Sequence, residues 1–235
     1  MFRFVLKNKK IRNKTVVFNA DQSRKIRKVL RMKIGDKVQV FDNKGWEYTV
    51  ELTKITNEFS VGKIIEQILN EQRSMITLFQ SLPKNLKVEF IIQKCTELGV
   101  DRIVFFQSDF SQVKANLISK EKLLRWKKIA EESSEQCGRK FISEIEISGS
   151  ELSDLIHDLD KKNTYYLDAN GIILNASSTD IEHISFFVGP EGGFSPKEKE
   201  IFNSFDIQSI KVGNHILRSE TAGMAFLAQL QPFIS

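Results

Sequence analysis

The chain predicts a mixed fold in two parts, a small β-barrel over residues 1–70 followed by an α/β domain with a largely parallel sheet over residues 71–235. Three observations carry that reading. The first 70 residues alternate apolar and polar positions with period two. From about residue 75, short apolar runs alternate with helix-length segments. The charge also changes sign between the parts. Residues 1–70 hold 16 Lys+Arg against 7 Asp+Glu, or +9, and residues 71–235 hold 19 against 23, or −4, so the whole-chain +5 is a property of the first part.

In the first part the predicted strands are FRFVL, TVVFN, DKVQVF and EYTVEL, the last two joined through the turn DNKG, and then FSVGKIIE. One helix interrupts them, DQSRKIRKVLR, with Asp21 capping its start and Ile26, Val29 and Leu30 forming the apolar stripe. Arg24, Lys25, Lys28 and Arg31 point away from that stripe. Across residues 1–35, Arg3, Lys7, Lys9, Lys10, Arg12, Lys14, Arg24, Lys25, Arg27, Lys28, Arg31 and Lys33 face a single acid, Asp21. Such a run gains affinity for a phosphate backbone by releasing counterions, without reading sequence. Its alternative use is a solvated face, where acids would be interspersed.

In the second part the strands are MITLFQS, RIVFFQS, ISEIEI, TYYLDA, ISFFVG and SIKVG. The helices are KVEFIIQKCTELG, SKEKLLRWKKIAEESSEQCG, SPKEKEIFNSF and TAGMAFLAQLQ. Gly99 and Gly138 fall where left-handed helix caps are expected. The boundary between the parts is expected near LNEQRS, residues 69–74.

Composition narrows the function. With 41% hydrophobic and 28% charged residues the chain is globular in type. Its apolar runs are far shorter than a membrane span, and MFRFVLKNKK lacks a signal peptide's apolar stretch, so a cytoplasmic protein with no membrane partner is expected. Two cysteines, Cys95 and Cys137, make no framework or Cys-x-x-Cys motif and read as core thiols. The histidines His157, His183 and His215 show no ligand spacing with them, so a metal-independent reaction is expected. No G-x-G-x-x-G or Walker-type lysine follows a strand, which argues against a dinucleotide-dependent oxidoreductase.

The most informative stretch is FFVGPEGGFSPKEKEIF, residues 186–202. Ser195, Pro196 and Glu198 begin a helix in the order of a capping box. The loop GPEGGFS therefore lies at the carboxyl end of a buried strand, the edge of an open α/β sheet where ligands bind. Its glycines serve a sharp turn, or let a flat ligand approach the backbone. SIKVGNHILRSETAGMAFLAQLQ repeats the plan: strand, Gly213, an irregular run with Arg218 and Glu220, then an apolar helix starting near Thr221. Charges beside a buried helix are costly unless they are used.

Together VGPEGGFSPKE and VGNHILRSETA closely resemble the paired signatures of the RsmE family, SPOUT methyltransferases that methylate N3 of a uridine in small-subunit (16S) ribosomal RNA with S-adenosylmethionine. The resemblance runs nearly end to end. IIQKCTELGVDRIVFFQS is similar to the family's helix–strand unit, EESSEQCGR to its following helix end, and residues 1–70 to its PUA-like barrel. It implies a carboxyl-terminal trefoil knot, a homodimer, and 16S RNA as partner within the small subunit. It also implies a cofactor pocket lined by LDANG, VGPEGG and VGNHILRSETA, with Leu167, Gly189, Pro190, Gly192, Gly193, Val212, Gly213, Ile216, Leu217, Thr221 and Ala222 as contacts.

Losing the N3 proton spreads negative charge onto the flanking carbonyl oxygens, which a guanidinium would stabilise, so Arg218 is the catalytic candidate. A salt bridge from Arg218 to Glu191 or Glu220 is its alternative role. Glu191 is the candidate proton acceptor, with His215 or water as alternatives. Arg24, Arg27 and Arg31 on the basic helix are expected RNA contacts. Arg3, Gln93, Lys94, Glu97, Gln136 and Arg139 match the family's pattern around the substrate. Two departures stand out: Asn214-His215 replaces the usual Pro-Arg, and SDFS places Phe110 where the family has an arginine. The competing readings are an RNA-binding protein with a degenerate pocket and a SPOUT enzyme modifying another RNA position.

Overall fold

The structure, a computed structural model, describes residues 1–6, 11–70, 75–83, 85–174 and 183–233. Lys7, Lys9 and Lys10 of the basic run, the side chain of Arg12, and residues 71–74 of the expected boundary lie outside the described residues. The chain divides into two compact units, Met1–Gln72 with Ser134–Ile142, and Arg73–Ser133 with Ser143–Ser235.

The first unit is one six-stranded sheet. Its strands are β1 (Arg3–Val5), β2 (Ile11–Arg12), β3 (Thr15–Phe18), β4 (Lys37–Phe41), β5 (Trp46–Ile55) and β6 (Ser60–Leu69), in the order β1-β4-β5-β6-β3-β2. β1 runs parallel to β4 and the other pairs are antiparallel. The alternating apolar positions converge on a core of Phe4, Val16, Phe18, Ile26, Val38, Val40, Tyr48, Val50, Leu52 and Ile64.

Helix α1 (Ala20–Arg24) differs from expectation at its start. Asn19, not Asp21, is the N-cap. Its side chain accepts from the Gln22 amide at 2.8 Å, and the Gln22 side chain accepts from the Asn19 amide at 3.2 Å. Residues 25–29 continue as a π-helix, with the Leu30 amide donating to the Lys25 carbonyl five residues back. The wider turn rotates the stripe, so Ile26 is buried while Val29 is 68% exposed.

The last turn of the long helix α3 (Lys120–Cys137) and the segment after it belong to this unit. Glu135 accepts from the Val5 amide at 3.0 Å and pairs with Lys25 at 3.0 Å, and the Ile142 amide donates to Asn43 at 2.6 Å.

The second unit is built on six parallel strands: β7 (Met75–Ser81), β8 (Arg102–Phe106), β9 (Glu144–Ile147), β10 (Thr164–Ile173), β11 (His183–Val188) and β12 (Gln208–Lys211). Their order is β12-β10-β11-β7-β8-β9. Both faces are apolar because both are covered, which is why these strands read as near-continuous hydrophobic runs.

On one face Phe79, Val104, Phe106, Tyr166 and Phe187 pack with Phe194, with Leu152 and Ile156 of α4 (Leu152–His157), and with Phe202 of α5 (Pro196–Ser204). Phe79 stacks on Phe187 and Tyr166 on Phe202, each at 4.4 Å. On the other face Phe186 meets Phe226 of α6 (Ser219–Leu230) at 4.7 Å, and α6 packs against α2 (Asn85–Glu97). Gly99 and Gly138 adopt φ of 91° and 87°, as the caps require. Cys95 is buried, which pushes its thiol far above the ordinary value, and Cys137 is half-buried. Among the described residues no helix is long and apolar enough to cross a membrane.

Candidate functional site

Because all six strands of the second unit run the same way, their carboxyl ends share one edge, and the order β12-β10-β11 sets three of those ends side by side. A cavity of ≈570 Å³ opens there. Its floor is apolar, formed by Leu167, Val188, Ile210 and Val212. Its walls are the segment Gly189–Gly193 after β11 and His215–Ser219 after β12, with Ala222 of α6 and Lys87 of α2.

The first wall is shaped by a cap. The Ser195 hydroxyl accepts from the Glu198 amide at 3.1 Å and the Glu198 carboxylate accepts from the Ser195 amide at 2.8 Å, so α5 starts where the sequence predicts. Ahead of it the Gly193 amide donates to the Pro190 carbonyl at 2.9 Å, a turn that puts Gly193 at φ 71°, a conformation a side chain would resist. The second wall is tied to the first. The Ser219 hydroxyl donates to the Gly189 carbonyl at 2.6 Å and accepts from the Gln80 side-chain Nε2 at 3.0 Å.

The third segment, LDANG, is not a loop. It is a bulge inside β10, where Leu167 and Ile172 both pair with Ile210. Gly171 in that bulge is the close approach: a Cβ there would stand 2.6 Å from the Ile210 carbonyl carbon. Asp168 in the bulge pairs with Lys199 of α5 at 2.5 Å. Burial raises its pKa, but the hydrogen bonds from Lys199 and from the Asn170 amide, with the lysine charge, outweigh it, so the carboxyl titrates below its ordinary value.

The expected contacts Leu167, Gly189, Pro190, Gly192, Gly193, Val212, Ile216, Leu217 and Ala222 line the cavity, whereas Gly213 and Thr221 lie off its wall. Gly213 has φ 73°, and the Thr221 amide donates to the Arg218 carbonyl at 2.8 Å. Helix α6 begins at Ser219 rather than Thr221, with Arg218 as its N-cap residue and exposed at the rim.

The two acidic residues offered as Arg218 partners are both held by Lys87, whose ammonium lies 3.0 Å from Glu191 and 3.0 Å from Glu220. The hydrogen bond to Glu220, then that to Glu191, raises the lysine above its ordinary pKa against the opposing effect of burial. Lys87 escapes sequence reasoning because it sits more than 100 residues from either carboxylate. Asp168, Ala169, Lys211 and Ser219 are further wall residues not singled out in advance, and His215 also lines the cavity. Asp168 and Ala169 belong to LDANG and Ser219 to VGNHILRSETA, and Lys211 directly precedes the latter, so their signal is membership of those segments or adjacency to them.

The expected RNA contacts separate into two kinds. Arg24 and Arg31 are exposed on the first unit, and Arg27 is half-buried. The Arg3 side chain is 11% exposed, and its guanidinium donates to Glu47 at 2.6 Å, to Gln39 at 2.8 Å and to the Arg139 carbonyl at 3.2 Å, so it also braces the unit. Arg139 is half-buried, and its Nε donates to the Phe141 carbonyl. Lys94 belongs to the second unit and pairs with Glu97 at 2.9 Å. Among the described residues no group of three or more His, Cys, Asp or Glu side chains could hold a metal ion.

Comparison with known proteins agrees with this architecture. Residues 70–231 match an RNA methyltransferase domain and residues 18–65 an RNA methyltransferase PUA domain. A Buchnera aphidicola (subsp. Schizaphis graminum) protein named ribosomal RNA small subunit methyltransferase E is 32% identical over 223 residues, 93% of this chain and 91% of its own. The Bacillus subtilis protein of that name is 31% identical, covering 86% and 84%. The crystal structure of the Neisseria gonorrhoeae protein of that name, bound to S-adenosyl methionine, superposes with a TM-score of 0.85 at 28% identity, covering 99% of this chain and 98% of that one. On these matches, together with the parallel sheet and the two joined walls at its edge, the chain belongs to the ribosomal RNA small subunit methyltransferase E family.

Proposed function

We propose that this chain is an S-adenosylmethionine-dependent methyltransferase acting on N3 of a uridine in 16S ribosomal RNA of the small subunit. The observation that carries the reading is the cavity where Gly189–Gly193 and His215–Ser219 are joined through Ser219. Its size lies within the range of about 300–1,000 Å³ usual for small-molecule sites. The apolar floor suits a purine ring, and backbone at Gly193, where a Cβ would meet open space, suits close approach of a flat ligand. The residues present therefore fit the cofactor, with Leu167, Val212, Ile216, Leu217 and Ala222 against its apolar parts.

Bound there, S-adenosylmethionine supplies an electrophilic sulfonium methyl. The chain's own residues must hold the uridine edge-on and manage the N3 proton. Arg218, exposed at the rim, is the group to meet the negative charge developing on the two flanking carbonyl oxygens. Two groups on the cavity wall can accept the proton, the Glu191 carboxylate tethered to Lys87 and the His215 imidazole. The pH–rate profiles of Glu191→Gln and His215→Ala separate them.

In this reading residues 1–70 bring the RNA, through the exposed Arg24 and Arg31, to a catalytic domain over residues 71–235. The carboxyl-terminal segment is threaded as a trefoil knot, two chains pair, and the enzyme works in the cytoplasm without metal. Methyl transfer to small-subunit particles and to free 16S RNA, with the product nucleotide mapped, tests the reaction. A methyl found on a ribose or another base would overturn the N3 assignment. RNA binding without heat on titration with S-adenosylmethionine would favour a binding module, and loss of activity in chelator would sink metal independence.

A further inference from the structure

We propose that Phe110 is a specificity-determining residue, a fixed stacking platform for the nucleobase presented at the mouth of the cavity; this deepens the reading of the pocket as an RNA methyltransferase site and rests on it. Phe110 is 50% exposed, in the short turn after β8. Its ring lies against the wall of the cavity. A Cβ placed on Gly192 would stand 3.4 Å from the ring's Cδ2 and 3.6 Å from its Cγ, so the ring lies about one methyl group's width from the glycine backbone, and half of the residue is exposed.

An aromatic side chain left half in water forgoes burial energy and is normally free to move. Here the residues on both sides of the ring are tied down. Asp109, before it, accepts from the Ser195 hydroxyl at 2.5 Å and donates its amide to Glu198 at 3.1 Å, at the start of α5. Ser111, after it, shares its hydroxyl with Ser81 at the end of β7 at 2.8 Å and with the Ser108 amide at 3.0 Å, while Ser108 and Ser81 meet at 2.6 Å. The turn is closed by the Ser111 amide on the Ser108 carbonyl at 3.0 Å. A flat, oriented, half-exposed ring beside a ligand cavity is the surface on which an unstacked base docks, at little ordering cost to the protein.

The test compares Phe110→Ala, Phe110→Leu and Phe110→Trp with wild type, using methyl transfer to 16S RNA and small-subunit particles, RNA affinity at one fixed salt concentration, and S-adenosylmethionine affinity. Alanine and leucine should each lower kcat/KM for RNA by roughly ten- to a hundredfold, the range expected for one lost stacking contact. Tryptophan should restore it, and cofactor Kd should stay within twofold throughout. Full activity in leucine would mean that apolar bulk alone suffices, and an unaffected alanine variant would remove any role; either overturns the proposal. A cofactor Kd that follows the RNA effect would assign the ring to holding Gly192 and would also overturn it. If wild type binds RNA without transferring a methyl, the reaction reading falls while the stacking is still read in RNA affinity: the alanine and leucine losses with tryptophan rescue must persist there.

Discussion

Lys87→Met would remove an ammonium that bridges Glu191 on the first wall and Glu220 at the start of α6. Each N–O distance is 3.0 Å, and the side chains of Lys87, Glu191 and Glu220 are 28%, 34% and 13% exposed. At an effective dielectric of about 20 such a pair has a gross Coulomb energy of roughly 5 kcal/mol, much of it offset by desolvation. Exposed pairs contribute about 0–1 kcal/mol, and stripping one partner from a fully buried pair costs about 3–5 kcal/mol. These partly exposed groups fall between, so a loss of about 2 kcal/mol is expected, or a fall of roughly 4–8 °C in Tm for a chain of this size.

Adding Glu220→Gln should recover part of it, because the two carboxylates would otherwise lose the ammonium that lies between them. Since the walls are held together less firmly, S-adenosylmethionine Kd should weaken by about fivefold, on the order of 1 kcal/mol. The pH dependence has a defined sign. Hydrogen bonding, to Glu220 first, raises the lysine's folded pKa, so its stabilisation is fully present below the unfolded value of about 10.4 and is lost as pH rises through the folded one. The gap between wild type and variant should thus be flat from pH 7 to 9 and close at more alkaline pH. A variant melting within about 1 °C of wild type with unchanged cofactor Kd would refute the bridging role.

Arg218→Ala should lower the single-turnover rate by about a hundredfold or more with little change in cofactor affinity; an unchanged rate would remove the guanidinium from the chemistry. Gly171→Ala should destabilise by about 3 kcal/mol, because its Cβ would press on Ile210 and Ser209 backbone that cannot turn aside. Gly213→Ala, at φ 73° but with open space around the new Cβ, should cost only about 1 kcal/mol, and equal denaturation midpoints for the two would contradict this account. Lys199→Met should destabilise at neutral pH. Because the Asp168 pKa is depressed in the fold, that effect should fade as pH falls below about 4, and a pH-independent difference would exclude the pair as its source.

Short-range chemistry was legible in the chain. The Ser195–Glu198 capping box, the left-handed Gly99 and Gly138, and the doubly apolar strands such as IVFF and SFFV each depend on residues a few positions apart, and each forms as read. The exceptions in the first unit are also local but subtler. Asn19 outcompetes Asp21 because its side chain reaches the Gln22 amide, and a π-turn, which shifts the helix face, leaves Val29 in water. The paired motifs and their order were enough to point to the family.

Which side chains meet was decided at a longer range. Strands β10, β11 and β12 are neighbours in the order β12-β10-β11, not in sequence order, and no window of residues encodes that pairing. That pairing turns LDANG into a bulge, and the onward order β11-β7-β8 brings Lys87 to both Glu191 and Glu220 and Phe110 beside Gly192. Likewise Arg3 reads as one more free cation along the chain. It became a brace only when β1 lay beside β4, with Gln39 and Glu47 within reach of its guanidinium. Capping, turn conformation and burial periodicity are energies of neighbours in sequence, whereas ion pairs and cavity walls are energies of neighbours in space, set by the sheet order that burial of the whole core selects.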